Sequence, residues 1–274
     1  MVPYKSICVT PASPHIGAEI SNINLTKPLS QPEVADLHQA LEEHLVIFFR
    51  DQEITPTMLK TLGEHFGQLH EHVGKRSAAL PMAGDPIVRV LHFDEKSEQI
   101  AGGEVWHTDQ SCAQIPPMGS ILYLHTVPPN GGGDTMFASM YAAYDALSDR
   151  MKSYLQGLTA IHDGTPAFGP GEDVISRHPL IVRNPLTGRK SIFFTPSFIR
   201  KIDAVPADES AAIISFLSNH CAHPDFQCRF RWRQHSIAFW DNRYSQHRAL
   251  WDYYPNVRSG FRIQIQGTVA PLAA

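Results

Sequence analysis

The sequence predicts a mainly β domain, a sandwich or jelly roll with a few helices packed outside it. Six stretches read as strands, at 119–127, 180–184, 191–195, 226–233, 236–240 and 261–269, each rich in β-branched or aromatic residues. Few segments carry helical periodicity, and they do not alternate regularly with the strands, which disfavours a doubly wound parallel sheet. Many strands with few helices suit two packed antiparallel sheets.

Along the chain, Ser30 starts the first helix as an N-cap, with Pro32 in the first turn and Val34, Leu37 and Leu41 as its apolar stripe. The apolar run LVIFF at 45–49 follows as a buried strand. Thr55 and Pro56 repeat the cap-then-proline start, and Gly67 is placed to stop that helix. Two more helices are expected over 139–156, broken near Ser148, and over 206–221, where Ile213, Ile214 and Leu217 share a face. In FQCRFRWR, Phe226, Cys228, Phe230 and Trp232 alternate with Gln227, Arg229, Arg231 and Arg233, the pattern of an antiparallel strand with one wet face. Segments 71–86 and 163–179 read as loops; the second is rich in Gly and Pro, and both are candidate lids. No repeat or linker divides residues 1–274, so one domain is expected.

Composition narrows the partners. A chain of 274 residues, 43% hydrophobic and 18% charged, has enough apolar surface for a sizeable core. With a net charge of −4 and no Lys/Arg run, a nucleic-acid partner is not expected. No apolar run is long enough to span a bilayer, and the N-terminus lacks the pattern of a signal peptide; a cytoplasmic enzyme with no membrane partner is expected. Cys8, Cys112, Cys221 and Cys228 form no CxxC and fit no zinc spacing, so reduced, mostly packed thiols are expected.

VWHTDQSC, residues 105–112, carries His107 and Asp109 two apart. On a strand, residues two apart share a face and can reach one ion from adjacent directions. His247 in WDNRYSQHRALWDYYP supplies a distant third ligand. Two imidazoles and a carboxylate leave three octahedral positions open, which suits Fe(II) oxygenases. By itself the same pair also reads as a structural His–Asp hydrogen bond at a strand end. Thr135 follows the glycine turn of PPNGGGDTMF, and Arg258 lies eleven residues after His247. A hydroxyl and a guanidinium can grip a carboxylate; taken singly, they read equally as a turn residue and a surface ion pair.

Assembled, these residues and the stretches GAEISNINLTKPLS, LVIFFRDQEIT, HFGQLHEH, WHTDQS, PPNGGGDTMF, AAYDALS and IAFWDNRYSQHRALWDYYPNVRSGFR resemble the family of taurine dioxygenase and 2,4-dichlorophenoxyacetate dioxygenase. The resemblance covers nearly the whole chain, in order and spacing. It implies a double-stranded β-helix (jelly roll) and an Fe(II)- and 2-oxoglutarate-dependent dioxygenase. His107, Asp109 and His247 would hold the iron, Thr135 and Arg258 would bind the distal carboxylate of 2-oxoglutarate, and Trp240 would line the wall near the iron. The implied reaction consumes O2, turns 2-oxoglutarate into succinate and CO2, and hydroxylates a substrate carbon. The product falls apart if that carbon bears a heteroatom. Family members form dimers or tetramers, so a homo-oligomer is expected.

For the substrate, Arg262 and His72 match anion-binding positions of the taurine enzymes, and Phe198 is kept. Gln110 and the 163–179 loop would help set selectivity. The expected substrate is a small organic anion: a sulfonate, sulfate ester or carboxylate. Lys75, Gly103 and Gly164 depart from the taurine pattern, and the two glycines imply a roomier pocket. Two other readings stay open: the same chemistry on a bulkier or neutral natural product or xenobiotic, with Arg262 paired to a local acid, and a non-catalytic jelly-roll binding module.

Overall fold

The structure, a computed structural model, describes residues 3–71, 80–97, 103–169 and 174–274. In chain order its elements are β1 (Cys8–Pro11), β2 (Ala18–Ser21), α1 (Gln31–His44), β3 (Val46–Phe49), α2 (Pro56–Glu64), β4 (Leu80–Met82), β5 (Asp85–Phe93), β6 (Gly119–Thr126), β7 (Thr135–Ser139), α3 (Met140–Asp145) and α4 (Asp149–Leu155). Then come β8 (Thr159–Asp163), α5 (Thr165–Phe168), β9 (Ile175–Pro179), β10 (Ile181–Arg183), β11 (Lys190–Ile192), β12 (Ile199–Ile202), α6 (Ala207–Cys221), β13 (Gln227–Phe230), β14 (Ser236–Asp241), β15 (Ser245–Ala249) and β16 (Arg258–Ile265).

Local chemistry sets the helix starts. The Ser30 hydroxyl accepts from the Glu33 amide while the Glu33 carboxylate accepts from the Ser30 amide, a reciprocal cap on α1. Leu45 then takes a left-handed φ of +63° and turns the chain into β3. Thr55 caps α2, which ends at Glu64, short of the glycine expected to stop it. Ser148 caps α4, so the break expected near that serine is there.

Two sheets form the body. The larger runs β1-β2-β3-β14-β6-β16-β5-β4, and the smaller β13-β7-β15. Side chains of β14 point alternately to two cores. Ile237 and Phe239 face α1 and α2, against Leu37, Leu41 and Leu59. Ala238 and Trp240 face the space between the sheets, against Phe137 of β7 and Phe230 of β13. A third core joins α3 and α6 to β8, β10 and β12. The architecture is the expected jelly roll with outer helices. Among the described residues no helix is long and apolar enough to cross a membrane. All four thiols are free, and burial pushes those of Cys221 and Cys228 up to about 12, so they stay protonated.

Parts of both expected loops are regular structure. Leu80–Met82 pairs with Asp85–Phe93, and Ile175–Pro179 pairs with β8 beside the short helix α5. These strands are short and mixed in polarity, so pairing with a neighbour forms them and no periodicity announces them. Residues 72–79 and 170–173 of the two loops lie outside the described residues.

β16 positions the site. Its inward residues Arg258, Gly260, Arg262 and Gln264 alternate with Phe261, Ile263 and Ile265, which join the core under α2. Gly260 sits where a Cβ would overlap the Tyr123 carbonyl. Gly260→Ala is therefore expected to lower the unfolding free energy by about 1–3 kcal/mol in urea denaturation, as overpacking does; an unchanged midpoint would show that the β6–β16 pair can part at no cost.

Candidate metal centre

His107 and Asp109 do not lie on a regular strand, contrary to the extended reading of this stretch. His107 makes an isolated bridge to His247, with N–O distances of 3.0 and 2.8 Å. Asp109 already belongs to a turn, and Gln110 beside it takes a left-handed φ of +46°. The bridge and the turn, not a strand's two-residue repeat, bring the two side chains together. His247 is held on β15, in register with Phe137 of β7.

The imidazole Nε2 atoms of His107 and His247 each lie 3.7 Å from Asp109 Oδ1. One ligand atom from each of the three residues falls within 4.8 Å of the others. His107 Nδ1 stands 2.8 Å from the Val105 carbonyl, so it carries the proton and leaves Nε2 as a lone-pair donor. Burial pushes both histidines down, which keeps them neutral. Burial alone would raise the Asp109 carboxyl. The Arg262 guanidinium, the two histidines and the Ser120 hydroxyl override it and hold the group well below the usual carboxylate range.

The two carboxylate oxygens divide the work. Oδ1 faces the imidazoles. Oδ2 accepts from Ser120 Oγ at 2.6 Å and pairs with Arg262. Ser120 Oγ in turn accepts from Asn242 Nδ2 at 3.0 Å and Gln264 Nε2 at 3.3 Å, and Asn242 Oδ1 accepts from Trp240 Nε1 at 3.0 Å. Two neutral imidazoles and an ionised, oriented carboxylate fit a divalent ion such as Fe(II).

Nearby, Arg258 is buried at 4% exposure. Its Nε donates to the Gly133 carbonyl at 3.2 Å, and its guanidinium lies 5.6 Å from the Trp232 ring and 5.9 Å from Tyr253. Among the described residues no carboxylate forms an ion pair with it. A buried cation in that state favours an anion, and a carboxylate matches its fork. Gly133, at φ +82°, has no room for a Cβ, which would meet Arg258 Cδ at 2.9 Å. Thr135 Oγ1 accepts from Trp232 Nε1 at 3.0 Å, so Trp232 touches both residues predicted to grip 2-oxoglutarate.

The remaining predicted residues are placed as follows. The Trp240 ring stands 4.7 Å from that of His247. Arg262 lies on Asp109, with its guanidinium 5.7 Å from the Trp240 ring. Gln110 bonds to Gln264 at 2.5 Å and to His70 at 3.4 Å. Phe198 packs on Phe168 at 5.6 Å, next to Ser197, whose hydroxyl lies 3.5 Å from the Trp106 carbonyl. His72 and Lys75 lie outside the described residues. At Gly103 a Cβ would make ordinary contact, 3.6 Å from Ala249 Cβ and 3.9 Å from His107 Cε1. Gly164 has no room for one. A Cβ would meet Cys112 Sγ at 2.5 Å and Phe168 Cδ2 at 2.9 Å, so these side chains fill the space expected to widen the pocket.

The taurine catabolism dioxygenase TauD, TfdA family matches residues 9–264. The chain belongs to this family. It is 32% identical to an alpha-ketoglutarate-dependent sulfonate dioxygenase of Saccharomyces cerevisiae, over 93% of this chain and 65% of that one. It is 29% identical to an alkylsulfatase of Acinetobacter baylyi, over 97% of this chain and 87% of that one. A solved taurine dioxygenase from Burkholderia xenovorans superposes with a TM-score of 0.86 at 34% identity, covering 97% of this chain and 91% of that one. The protein is thus an oxidoreductase, a 2-oxoglutarate-dependent dioxygenase with the jelly-roll fold.

Sequence reading missed Ser120, Asn242, Gln264 and Trp232. The available signal was Ser120, a polar residue inside the apolar run GSILYL, at a position the strand turns inward. In this dioxygenase Ser120→Ala should weaken Mn(II) or Fe(II) binding about 10–100-fold, the usual effect of losing a hydrogen bond to a metal ligand. Equilibrium metal titration checks this, and wild-type affinity would remove Ser120 from the assignment.

The turn after Asp109 rests on two more buried histidines. His162 Nδ1 lies 2.9 Å from Ser111 Oγ, and His178 Nε2 donates to the Ala113 carbonyl at 2.9 Å. Burial, then His178, pushes His162 down to about 3. The unfolded chain takes up this proton below about 6.5, while the fold refuses it until about 3. Stability is therefore complete above the unfolded value and falls with pH between the two, by about 1.4 kcal/mol per unit for this group. His162→Gln should flatten the apo-protein's stability between pH 6.5 and 5 by that share, read by denaturant unfolding; an unchanged slope would contradict a neutral His162.

Proposed function

We propose that this dioxygenase holds Fe(II) on His107, Asp109 and His247, grips the distal carboxylate of 2-oxoglutarate with Thr135 and Arg258, and hydroxylates a small organic anion carrying a sulfonate or sulfate ester. The observation that carries the reading is the division of Asp109: one oxygen faces two neutral imidazoles, and the other is fixed by Ser120 and Arg262. The bound ion and 2-oxoglutarate, with O2, supply oxidative decarboxylation to succinate and CO2 and the transfer of one oxygen atom to a substrate carbon.

The chain's own residues orient and protect. Arg258, buried against Trp232 and Tyr253, binds the cosubstrate's far end in a site of low dielectric, where the ion pair is strengthened. The Trp240 ring keeps water from one side of His247. The names of the yeast and Acinetobacter relatives support sulfonates and sulfate esters as substrates. Arg262 is the proposed anchor for the anionic head: once an ion shares the charge of Asp109, the guanidinium still has a buried Nε with no hydrogen-bond partner among the described residues. A second reading is favoured by the same ion pair. If Arg262 serves Asp109 alone, the substrate is a bulkier or neutral compound.

Succinate release by Fe(II)-loaded protein, across matched sulfonates, sulfate esters, carboxylates and neutral analogues, separates the two readings. Stimulation by anions only is expected, and equal stimulation by neutral analogues would select the second. His107→Ala and Asp109→Ala should abolish substrate-coupled succinate formation. Arg258→Ala should raise the KM for 2-oxoglutarate about 10–100-fold, the loss of a charge-assisted contact. If only the organic substrate bound worse, the roles of Arg258 and Arg262 would be exchanged.

A further inference from the structure

Between the bridge at His107 and the start of β6 at Gly119 the chain forms no strand, so no ladder holds the turn that carries Asp109. Asp109 itself is met by Asn242 and Ser120. The next residues are held differently: three in a row each meet one residue of the β8–β9 hairpin. His162 Nδ1 lies 2.9 Å from Ser111 Oγ, and His178 Nε2 donates to the Ala113 carbonyl at 2.9 Å. Between these two bonds, the buried Cys112 lies against Gly164. His162 stands opposite Ser176 and His178 opposite Ala160 on the antiparallel pair, so alternation puts both imidazoles on one face of the hairpin. Their rings meet edge to face at 5.3 Å, and both pack on Phe193.

Backbone freedom does not explain the glycine. Gly164 has φ −88° and ψ −3°, a conformation open to residues with side chains. Contact explains it. A Cβ at this position would stand 2.5 Å from Cys112 Sγ, 3.2 Å from Cys112 Cβ and 2.9 Å from Phe168 Cδ2. The neighbours are held on every side. Cys112 lies between the bonded residues Ser111 and Ala113, and Phe168 packs on Phe198 at 5.6 Å. The hairpin is fixed too: Gly164 N donates to the Val174 carbonyl at 2.7 Å, and Asp163 N donates to the Phe198 carbonyl at 2.8 Å. Packed interiors transmit such an overlap as a shift of whichever segment is held least. Here that segment is the turn, which no strand pairing supports, and Asp109 lies on it three residues before Cys112.

We propose that Gly164 is a positioning residue of the metal centre: its missing side chain, together with His162 and His178, seats the turn at Ser111–Ala113 and so aims the Asp109 carboxylate at the two imidazoles. The inference rests on the reading that His107, Asp109 and His247 hold the ion. It gives the β8–β9 hairpin a part in metal binding, although none of its residues is a ligand. It also reassigns Gly164, whose small size serves the metal turn rather than a roomier substrate pocket.

The test is equilibrium Mn(II) binding to the whole chain, read from the free Mn(II) signal in electron paramagnetic resonance, with denaturant unfolding of each variant measured alongside. The wild type should bind Mn(II) and Asp109→Ala should not. No binding by the wild type, or unchanged binding by Asp109→Ala, would overturn the metal reading and the seat with it. Gly164→Ala should weaken Mn(II) binding about tenfold or more, the range seen when a metal ligand loses its support. Adding Cys112→Ala removes the thiol that the new methyl group meets, and the double variant should regain most of the lost affinity, because residues in contact are coupled. A role in folding alone would lower the unfolding midpoint and leave metal affinity unchanged. A folded Gly164→Ala variant that binds Mn(II) within about twofold of wild type would therefore overturn the proposal, and so would a loss that Cys112→Ala does not restore. If Gly164→Ala does not fold, two variants of His178 carry the test. His178→Gln keeps a donor for the Ala113 carbonyl and should bind Mn(II) nearly as the wild type does, whereas His178→Leu should lose about tenfold. Equal affinity in these two variants would overturn the seat while leaving the metal reading in place.

Discussion

A carboxylate kept ionised in a buried pocket is the constraint on which the rest of the site depends. Removing Asp109 from water is costly, and a lone carboxyl there would take up a proton and lose its value as a metal ligand. The cost is offset by groups from distant parts of the chain: Ser120 from β6, Arg262 from β16 and, through Ser120, Asn242 just after β14. These three strands are neighbours in the order β14-β6-β16. The central sheet therefore does more than supply a core. It delivers to one carboxylate oxygen the donors that leave the other oxygen for the imidazoles.

The two inward arginines of β16 meet different fates, and the difference sorts their roles. Arg262 has an acid within reach, and its positive charge holds Asp109 ionised. Arg258 has aromatic faces, a backbone carbonyl and the more distant charge of Asp134, but no carboxylate ion-paired to it among the described residues. One guanidinium is a counter-ion of Asp109, and the other is the one proposed to bind the cosubstrate. Gly133 belongs to the second arrangement, since any side chain there would displace the Arg258 stem.

What could be read from the chain follows the range of the forces involved. Caps are local, so Ser30, Thr55 and Ser148 mark helix starts in the sequence as they do in the structure. Strands apolar on both faces, such as Val46–Phe49 and Ser236–Asp241, announce themselves because both cores demand it. The segment SQHRA of β15 does not, although its first three residues are buried, because they are polar: Ser245 and Gln246 donate to the Asp241 and Phe194 carbonyls, and His247 joins the metal-binding group. The same reason hid the turn at Asp109. A strand repeat explained the spacing of His107 and Asp109, but a long-range bridge to His247 and a left-handed Gln110 produce it. His107, Asp109 and His247, which the structure brings together as a group able to hold a metal, were legible as a motif carried by family resemblance. Their supports were not, because serine, asparagine and glutamine become informative only once strand pairing shows which of them converge.

β16 also acts as a ruler. Arg258 and Arg262 are four residues apart on one face of an extended strand, which fixes their Cα atoms roughly 13 Å apart before twist. In the proposed function the distal carboxylate of 2-oxoglutarate would sit at the first position, while Asp109 pairs with the second. The span between them would then be set by strand geometry rather than by loop closure. Gly260 lies midway, where the Tyr123 carbonyl and Leu124 of β6 approach so closely that no side chain fits. Substitutions that shift the register of β16 by one residue would turn both arginines outward and Ile263 inward. That would remove the counter-ion of Asp109 and the proposed anchor of the cosubstrate in a single step.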